Sequence, residues 1–241
     1  MIAHLGEMTW KEVAAILSPR LVALWPAGAI EAHGPHLPLA TDVIISEEMA
    51  RRAAKLLEAR GRDVLLVPPL VFSPAGYAGS FAGTISLSPS TAATQVFEIA
   101  SSLKSHRISK IAIVNSHVDP ANLAALRDAC GKSGVVFPDI TRKPWVLRLP
   151  DEFKSGGAHA GFFETSLVMA ARPEQVRESI RTSLPAVVVN LGQKIKEGAK
   201  TFHECGGPEA YFGDPASATA AEGERIFGVL AQIVVDALEG E

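Results

Sequence analysis

Short apolar runs alternate along the chain with longer segments whose apolar residues recur at a helical period. Apolar runs of about four to eight residues are typical of buried strands, and this alternation is typical of βαβ units with a mostly parallel sheet. The pattern predicts strands at residues 20–25, 63–71, 110–115 and 134–138. It predicts helices at residues 9–17, 44–59, 91–106, 121–132, 161–171 and 218–238. The sequence therefore favours an α/β fold.

No polar linker rich in proline, glycine and serine divides this alternation, and no segment repeats at a fixed period. Independent domains are normally joined by such linkers. We therefore expect one domain over residues 1–241.

Composition narrows the class of protein. With 47% apolar and 20% charged residues, the chain can bury a substantial core, which excludes intrinsic disorder. The net charge of −3 gives no basic surface for nucleic acid or an anionic membrane. Only Cys130 and Cys205 are cysteines, and the N-terminal segment lacks the basic flank of a secretory signal. We therefore expect a cytoplasmic protein that binds neither nucleic acid nor membrane.

Residues 64–97 carry no charged side chain, but their four prolines exclude a single membrane-spanning helix. If much of this stretch were exposed, it would be more apolar than the surface of a monomer usually is. It therefore indicates either self-association or burial in the core.

The loop after the first predicted strand reads PAGAIEAHGPHLPLATD and gathers Glu31, His33, His36 and Asp42. Glu31 and His33 are two residues apart, so in an extended stretch both side chains point to the same side, as two metal ligands would. One histidine and two carboxylates suit Zn²⁺ or Mn²⁺. The alternative is a polar surface loop in which Asp42 caps the following helix.

The loop after the predicted strand at 110–115 reads SHVDPAN. Asp119 and Pro120 are typical of a helix start, as N-cap and first helical residue, but that role does not explain His117. Ligand sites in open α/β sheets lie beyond the carboxyl ends of the strands. We therefore expect this loop and the preceding one to open onto the same edge of the sheet.

The segment GGAHAGFFETSLVMAARP contains His159 and Glu164. Within one helix, their side chains would point about 140° apart. Glycines at 156, 157 and 161 instead favour a helix that begins near Gly161, with Glu164 in its first turn. A carboxylate there suits a metal ligand or a partner of the helix dipole.

Several blocks resemble the creatininase family. EAHGPHLPLATD matches the family pattern E-x-H-G-P-H-L-P-L-x-T-D. AGTISLSPST, the strand and NSH at 111–117, HAGFFETSLVMAARPEQV and GDPASATAAEG also match, in the same order. This resemblance implies a metal hydrolase with a three-layer α/β/α fold, a mostly parallel central sheet and assembly as a homohexamer.

The resemblance also implies two divalent metal ions, Zn²⁺ or Mn²⁺, and a small-molecule substrate with an amide bond. It implies five metal ligands: Glu31 and His117 on one ion, His33 on the other, Asp42 between them, and Glu164. His159 would handle the proton on the leaving nitrogen, and Asp119 would be a ligand or the base that activates water.

The departures from the family pattern fall in loops that would face the substrate. Ser116 replaces a glycine, Pro120 alters the loop path, FAGT replaces FPGT, and Ala78 stands where a histidine is frequent. The ligand set is intact, so we expect hydrolysis of a small cyclic or linear amide, and the departures put creatinine itself in doubt as the substrate. The alternatives are a peptidase acting on a modified peptide, a hydrolase that opens a carbocyclic ketone, and a non-catalytic module whose assembly is stabilised by metal.

Overall fold

A computed structural model describes residues 1–155 and 159–240. Gly156 and Gly157, two of the glycines expected to precede a helix, lie outside these residues. The strands are β1 (Ile2–His4), β2 (Leu21–Ala27), β3 (Asp63–Leu66) and β4 (Lys110–Asn115). The α-helices are α1 (Trp10–Ile16), α2 (Thr41–Ala59), α3 (Pro89–Ser105), α4 (Pro120–Ser133), α5 (Asp151–Lys154), α6 (Phe162–Ala171), α7 (Glu178–Arg181), α8 (Leu191–Lys196), α9 (Phe202–Cys205) and α10 (Ala220–Glu239).

In the described part of the chain, the four strands form one parallel sheet in the order β1-β3-β2-β4. Strand β2 is central, and all seven of its residues are buried. Val22 is paired with Val64 on one side and with Lys110 on the other. The expectation of an α/β fold with a parallel sheet is confirmed.

Helices cover both faces of this sheet because successive strand residues point to opposite sides. Val22 and Leu24 of β2 share a core with α2, α6 and α10. Leu21, Ala23 and Trp25 share a second core with α3 and α4. The resulting arrangement is the three-layer α/β/α sandwich that the family resemblance implied.

Two of the predicted strands need correction. The strand expected at 63–71 ends at Leu66 because Pro68 and Pro69, just beyond it, have no amide hydrogen for the ladder. The expected strand at 134–138 makes one isolated bridge, between Val136 and Ala112. Strand β1, which the apolar pattern did not predict, pairs with β3 instead.

The helix starts settle three local interpretations. Helix α2 begins at Thr41 with Ala40 as its N-cap, so the interpretation of Asp42 as an N-cap is wrong. The side chain of Asp119 accepts a hydrogen bond from the amide of Ala121 and so caps α4. Pro120 is the first residue of α4, as expected. Helix α6 begins directly after Gly161, with Glu164 in its first turn.

The uncharged stretch at 64–97 divides between the core and the surface. Its first residues complete β3 and are buried, whereas Phe72, Ile85 and Phe97 are 43%, 47% and 43% exposed. Across residues 1–155 and 159–240, no helix is long and apolar enough to cross a membrane.

Candidate metal centre

Polar side chains converge at the edge of the sheet where β2 and β4 end. Their backbone positions are the loop after β2, the first turn of α2, the loop after β4, and the start of α6. The six side chains, all buried, are Glu31, His33, Asp42, His117, His159 and Glu164.

Two contacts draw the first loop and the start of α2 together. A Cβ at Gly28 would lie 2.6 Å from the amide nitrogen of Val43, so only glycine lets the two segments approach this closely. The hydroxyl of Ser116 donates to the carbonyl oxygen of Asp42 at 2.6 Å, which ties the loop after β4 to the same point. The two loops therefore open onto one edge, as expected.

The carboxylate of Asp42 lies between two groups of donor atoms. Its Oδ2 is 3.0 Å from Nδ1 of His117, which is also 3.1 Å from Oε1 of Glu31. Its Oδ1 is 3.4 Å from Nε2 of His33, which is also 3.4 Å from Oε2 of Glu164. Each group offers donor atoms within 4.8 Å of one another and could hold one metal ion. Asp42 contributes one oxygen to each.

A third possible grouping brings in the remaining histidine. Oε1 of Glu31 lies 3.9 Å from Nε2 of His33 and 3.9 Å from Nδ1 of His159. The rings of His33 and His159 have centroids 4.3 Å apart. His159 therefore borders both candidate ion positions.

Backbone carbonyl groups fix how each imidazole is presented. His33 donates from Nδ1 to the carbonyl oxygen of Glu31 at 3.1 Å, and His117 donates from Nε2 to that of Pro74 at 2.7 Å. His159 donates from Nε2 to that of Ala32 at 2.9 Å. A carbonyl oxygen only accepts, so the other nitrogen of each ring is left free to bind a metal ion or a proton.

Besides Nδ1 of His36, two buried atoms of the described residues at this edge have no hydrogen-bond partner: Nε2 of His33 and Oδ2 of Asp42. Buried polar atoms are almost always paired, so unpaired ones call for a partner. Both atoms belong to the donor groups, and a divalent cation would satisfy them. The residues present therefore fit a pair of metal ions.

The electrostatics of the cluster lead to the same conclusion. Burial raises the pKa of Glu31. It also raises the pKa of Glu164, to about 8. Burial lowers the pKa of His33, but the carboxylates of Asp42 and Glu164 outweigh it and raise the value to about 10. The cluster therefore requires positive charge, from protonated imidazoles or from divalent ions.

His159 behaves differently. Burial, reinforced by the neighbouring His33, holds its pKa well below the usual value. Burial therefore favours the neutral imidazole, in which Nδ1 is the atom that can accept a proton. Phe202 packs against its ring at a centroid distance of 4.3 Å and limits its movement.

The structure places the other sequence candidates beside the cluster. Asp119 lines the same cavity, but it belongs to none of the three donor groups found in the described residues. His36 is also outside these groups. Its Nε2 is 2.9 Å from the hydroxyl of Thr165, and its backbone oxygen accepts from Arg177, so it holds the loop in shape.

Glu152 was missed by the sequence analysis. Its carboxylate accepts from the amides of Phe162, Phe163 and Asp214 at 3.0, 2.7 and 3.0 Å. These bonds anchor the first turn of α6, and with it Glu164. Glu152 lies in a short polar segment, and only the tertiary fold reveals the partners of its carboxylate.

Five of the six side chains, all but that of His33, line a cavity of about 350 Å³. Much of the remaining wall is apolar or aromatic and includes Tyr77, Phe153, Leu191, Ile195 and Phe202. Sites for small molecules are usually concave and apolar with a few converging polar groups, as this one is.

Comparison with known proteins gave concordant results. The family model "Creatininase: Creatinine amidohydrolase" matches residues 6–238. The chain is 31% identical to a mycofactocin precursor peptide peptidase of Mycolicibacterium smegmatis, over 98% of this chain and 90% of that protein. It is 27% identical to a creatinine amidohydrolase of Pseudomonas putida, over 98% and 96%. A solved structure described as "Creatininase Mn" superposes with a TM-score of 0.73 at 24% identity and covers 98% of this chain and 97% of its own.

Proposed function

This chain belongs to the creatininase family, and we propose that it is a hydrolase that uses two divalent metal ions to cleave the C–N bond of an amide. The observation that carries the proposal is the carboxylate of Asp42, which directs one oxygen to each of two donor groups. The unpaired Nε2 of His33 supports it independently.

We assign one ion to Glu31 and His117 and the other to His33 and Glu164, with Asp42 shared between them. Three carboxylates and two imidazoles suit Zn²⁺ or Mn²⁺. When bound, the two ions supply Lewis acidity, which lowers the pKa of a water molecule and polarises an amide carbonyl.

His159 is assigned the proton transfer to the departing nitrogen. Its Nε2 hydrogen is held by the carbonyl of Ala32, and burial favours the neutral imidazole, whose Nδ1 can take up a proton and pass it on. Asp119 is assigned the role of base because it lines the cavity beside the donor groups without being part of one.

The substrate class follows from the cavity and from the relatives. A volume of about 350 Å³ accommodates a small cyclic or linear amide, or the end of a peptide. The 31% identity to a peptidase over nearly the whole chain favours a peptide as the second candidate. The same donor set could also open a carbocyclic ketone, or hold metal in a non-catalytic assembly module.

The proposal extends to assembly as a homo-oligomer, such as a homohexamer, in the cytoplasm. Phe72, Ile85 and Phe97 expose large apolar side chains within the uncharged stretch at 64–97. Analytical ultracentrifugation should give a species several times the 25.5 kDa of one chain. A monomer as the only species would contradict the assembly.

The activity is tested by stripping the enzyme with a chelator and restoring Zn²⁺ or Mn²⁺. Hydrolysis of creatinine, linear amides, short peptides and cyclic ketones is compared before and after. We expect cleavage of an amide or a peptide that is lost without metal and regained with it. The Glu164→Gln variant should be impaired, whereas Glu174→Gln, at an exposed position, should behave as wild type.

Turnover that survives complete metal removal would contradict the mechanism. Metal binding without turnover on any of these substrates would favour the assembly module.

A further inference from the structure

Two lysines line the cavity that contains the donor groups. Lys154 ends α5 and Lys196 ends α8, so they approach the cavity from different elements. Apart from histidines, they are the only basic side chains in the described part of the cavity lining.

Neither lysine has a strong partner. The ammonium of Lys154 is 2.6 Å from Oδ1 of Asp151, but that carboxylate is 98% exposed, and water competes for such a pair. Among the described residues, no carboxylate lies within ion-pair distance of Lys196. The adjacent Glu197 is engaged by Gln193 and Lys194, at 3.0 and 3.4 Å.

The positive charges of Lys154 and Lys196 are not needed to neutralise the carboxylates of the donor groups. The carboxylates of Glu31, Asp42, Asp119 and Glu164 line the cavity, and two divalent ions would balance all four. The two ammonium groups are therefore not needed to neutralise these four carboxylates, and the exposed Asp151 is the carboxylate beside Lys154. Both lysines are exposed, so an ion pair formed with them would be partly screened by water and modest in strength.

We infer that the substrate is an amide that also carries a carboxylate, and that Lys154 and Lys196 hold this carboxylate away from the reacting bond. Both lysines are then specificity-determining residues, and the preferred substrates are amides derived from amino acids, with a free carboxyl group. The inference rests on the proposed two-metal hydrolase, because it places the amide at the donor groups.

The test is a binding experiment on the metal-loaded enzyme. The probes are hydroxamic acids, whose hydroxamate binds metal ions, linked through two to five methylene groups to either a carboxylate or a neutral carboxamide. Calorimetry gives the dissociation constant of each probe for the wild type and for Lys154→Met and Lys196→Met. The matched control is Lys194→Met, on the same helix as Lys196 but paired with Glu197.

We expect the wild type to bind at least one carboxylate probe more tightly than its carboxamide. Each cavity variant should weaken binding of that probe by up to about fivefold, the upper range for a partly exposed ion pair. Binding of the carboxamide should not change, and the control should match the wild type.

Three results would overturn the inference. The first is equal affinity for the carboxylate and carboxamide probes at every length. The second is an equal loss of affinity for both kinds of probe in the cavity variants. Either result contradicts the carboxylate site but leaves the metal centre intact. Failure of every hydroxamate to bind contradicts the metal centre as well, so the two failures can be told apart.

Discussion

Removal of the metal ions should destabilise the whole protein. The three buried carboxylates of Glu31, Asp42 and Glu164 each lie within 4 Å of Nε2 of His33, and their mutual repulsion is uncompensated without cations or protonated histidines. These residues belong to the loop after β2 and to helices α2 and α6, so the ions link separate parts of the fold.

The size of the effect follows from linkage between binding and folding. An ion present at one hundred times its dissociation constant stabilises the native state by about 2.7 kcal/mol, so two such sites contribute about 5 kcal/mol. For a chain of this length, 1 kcal/mol shifts the melting temperature by about 2–4 °C. Complete removal of both ions should therefore lower the melting temperature by about 10–20 °C.

The assay is differential scanning calorimetry before and after treatment with a chelator, followed by addition of Zn²⁺ or Mn²⁺. Asp42→Asn should remove most of the metal-dependent shift, because it neutralises the carboxylate that both donor groups share. The control is Asp139→Asn, which alters another buried carboxylate, paired with Arg127, and should leave the shift intact. A chelator effect below about 3 °C in the wild type, or an unchanged shift in Asp42→Asn, would contradict the stabilisation of the fold by the two ions.

Three further predictions concern single residues. His159→Ala should lower kcat by about 10²–10⁴-fold, as loss of a proton-transfer group does. Metal analysis of this variant should find both ions still bound. Loss of an ion would instead identify His159 as a metal ligand. Asp119→Ala should also abolish most turnover, whereas Asp128→Ala, at an exposed position of α4, should not. Equal rates in both variants would remove Asp119 from the mechanism. Gly223→Ala would place a Cβ 1.9 Å from a backbone oxygen of α6 and should destabilise the fold by about 1–3 kcal/mol in urea denaturation. Gly228→Ala, with nothing within 4 Å, should stabilise α10 by about 0.5–1 kcal/mol, and similar effects of the two would contradict this packing.

The central strands and the long helices could be predicted because their signals are local and repeated. Strand β2 is apolar along nearly its whole length because it is buried on both faces, and the helices around it keep a helical period. Strand β1 has only three residues, none of them buried, and exists through its pairing with β3. Such a short strand depends on its neighbour, so its own residues do not identify it.

Some residues of the site could likewise be proposed from the sequence, whereas others could not. The residues of the first loop and the histidine after β4 could be proposed from sequence because polar donors at the carboxyl ends of parallel strands are typical of ligand sites. Their convergence was also correctly expected. Glu152 could not be found, since its carboxylate meets the amides of Phe162 and Asp214 only after the chain has folded. Lys196 was missed for the same reason, because only the fold places it beside the cavity.

The proposed hydrolysis depends on two metal ions bound through Asp42. The most direct measurement is the metal content of the protein purified without chelator, determined by inductively coupled plasma mass spectrometry alongside the Asp42→Asn variant. We expect two divalent ions per chain in the wild type and a marked loss in the variant. Fewer than one ion per chain in the wild type, or an unchanged content in Asp42→Asn, would contradict it.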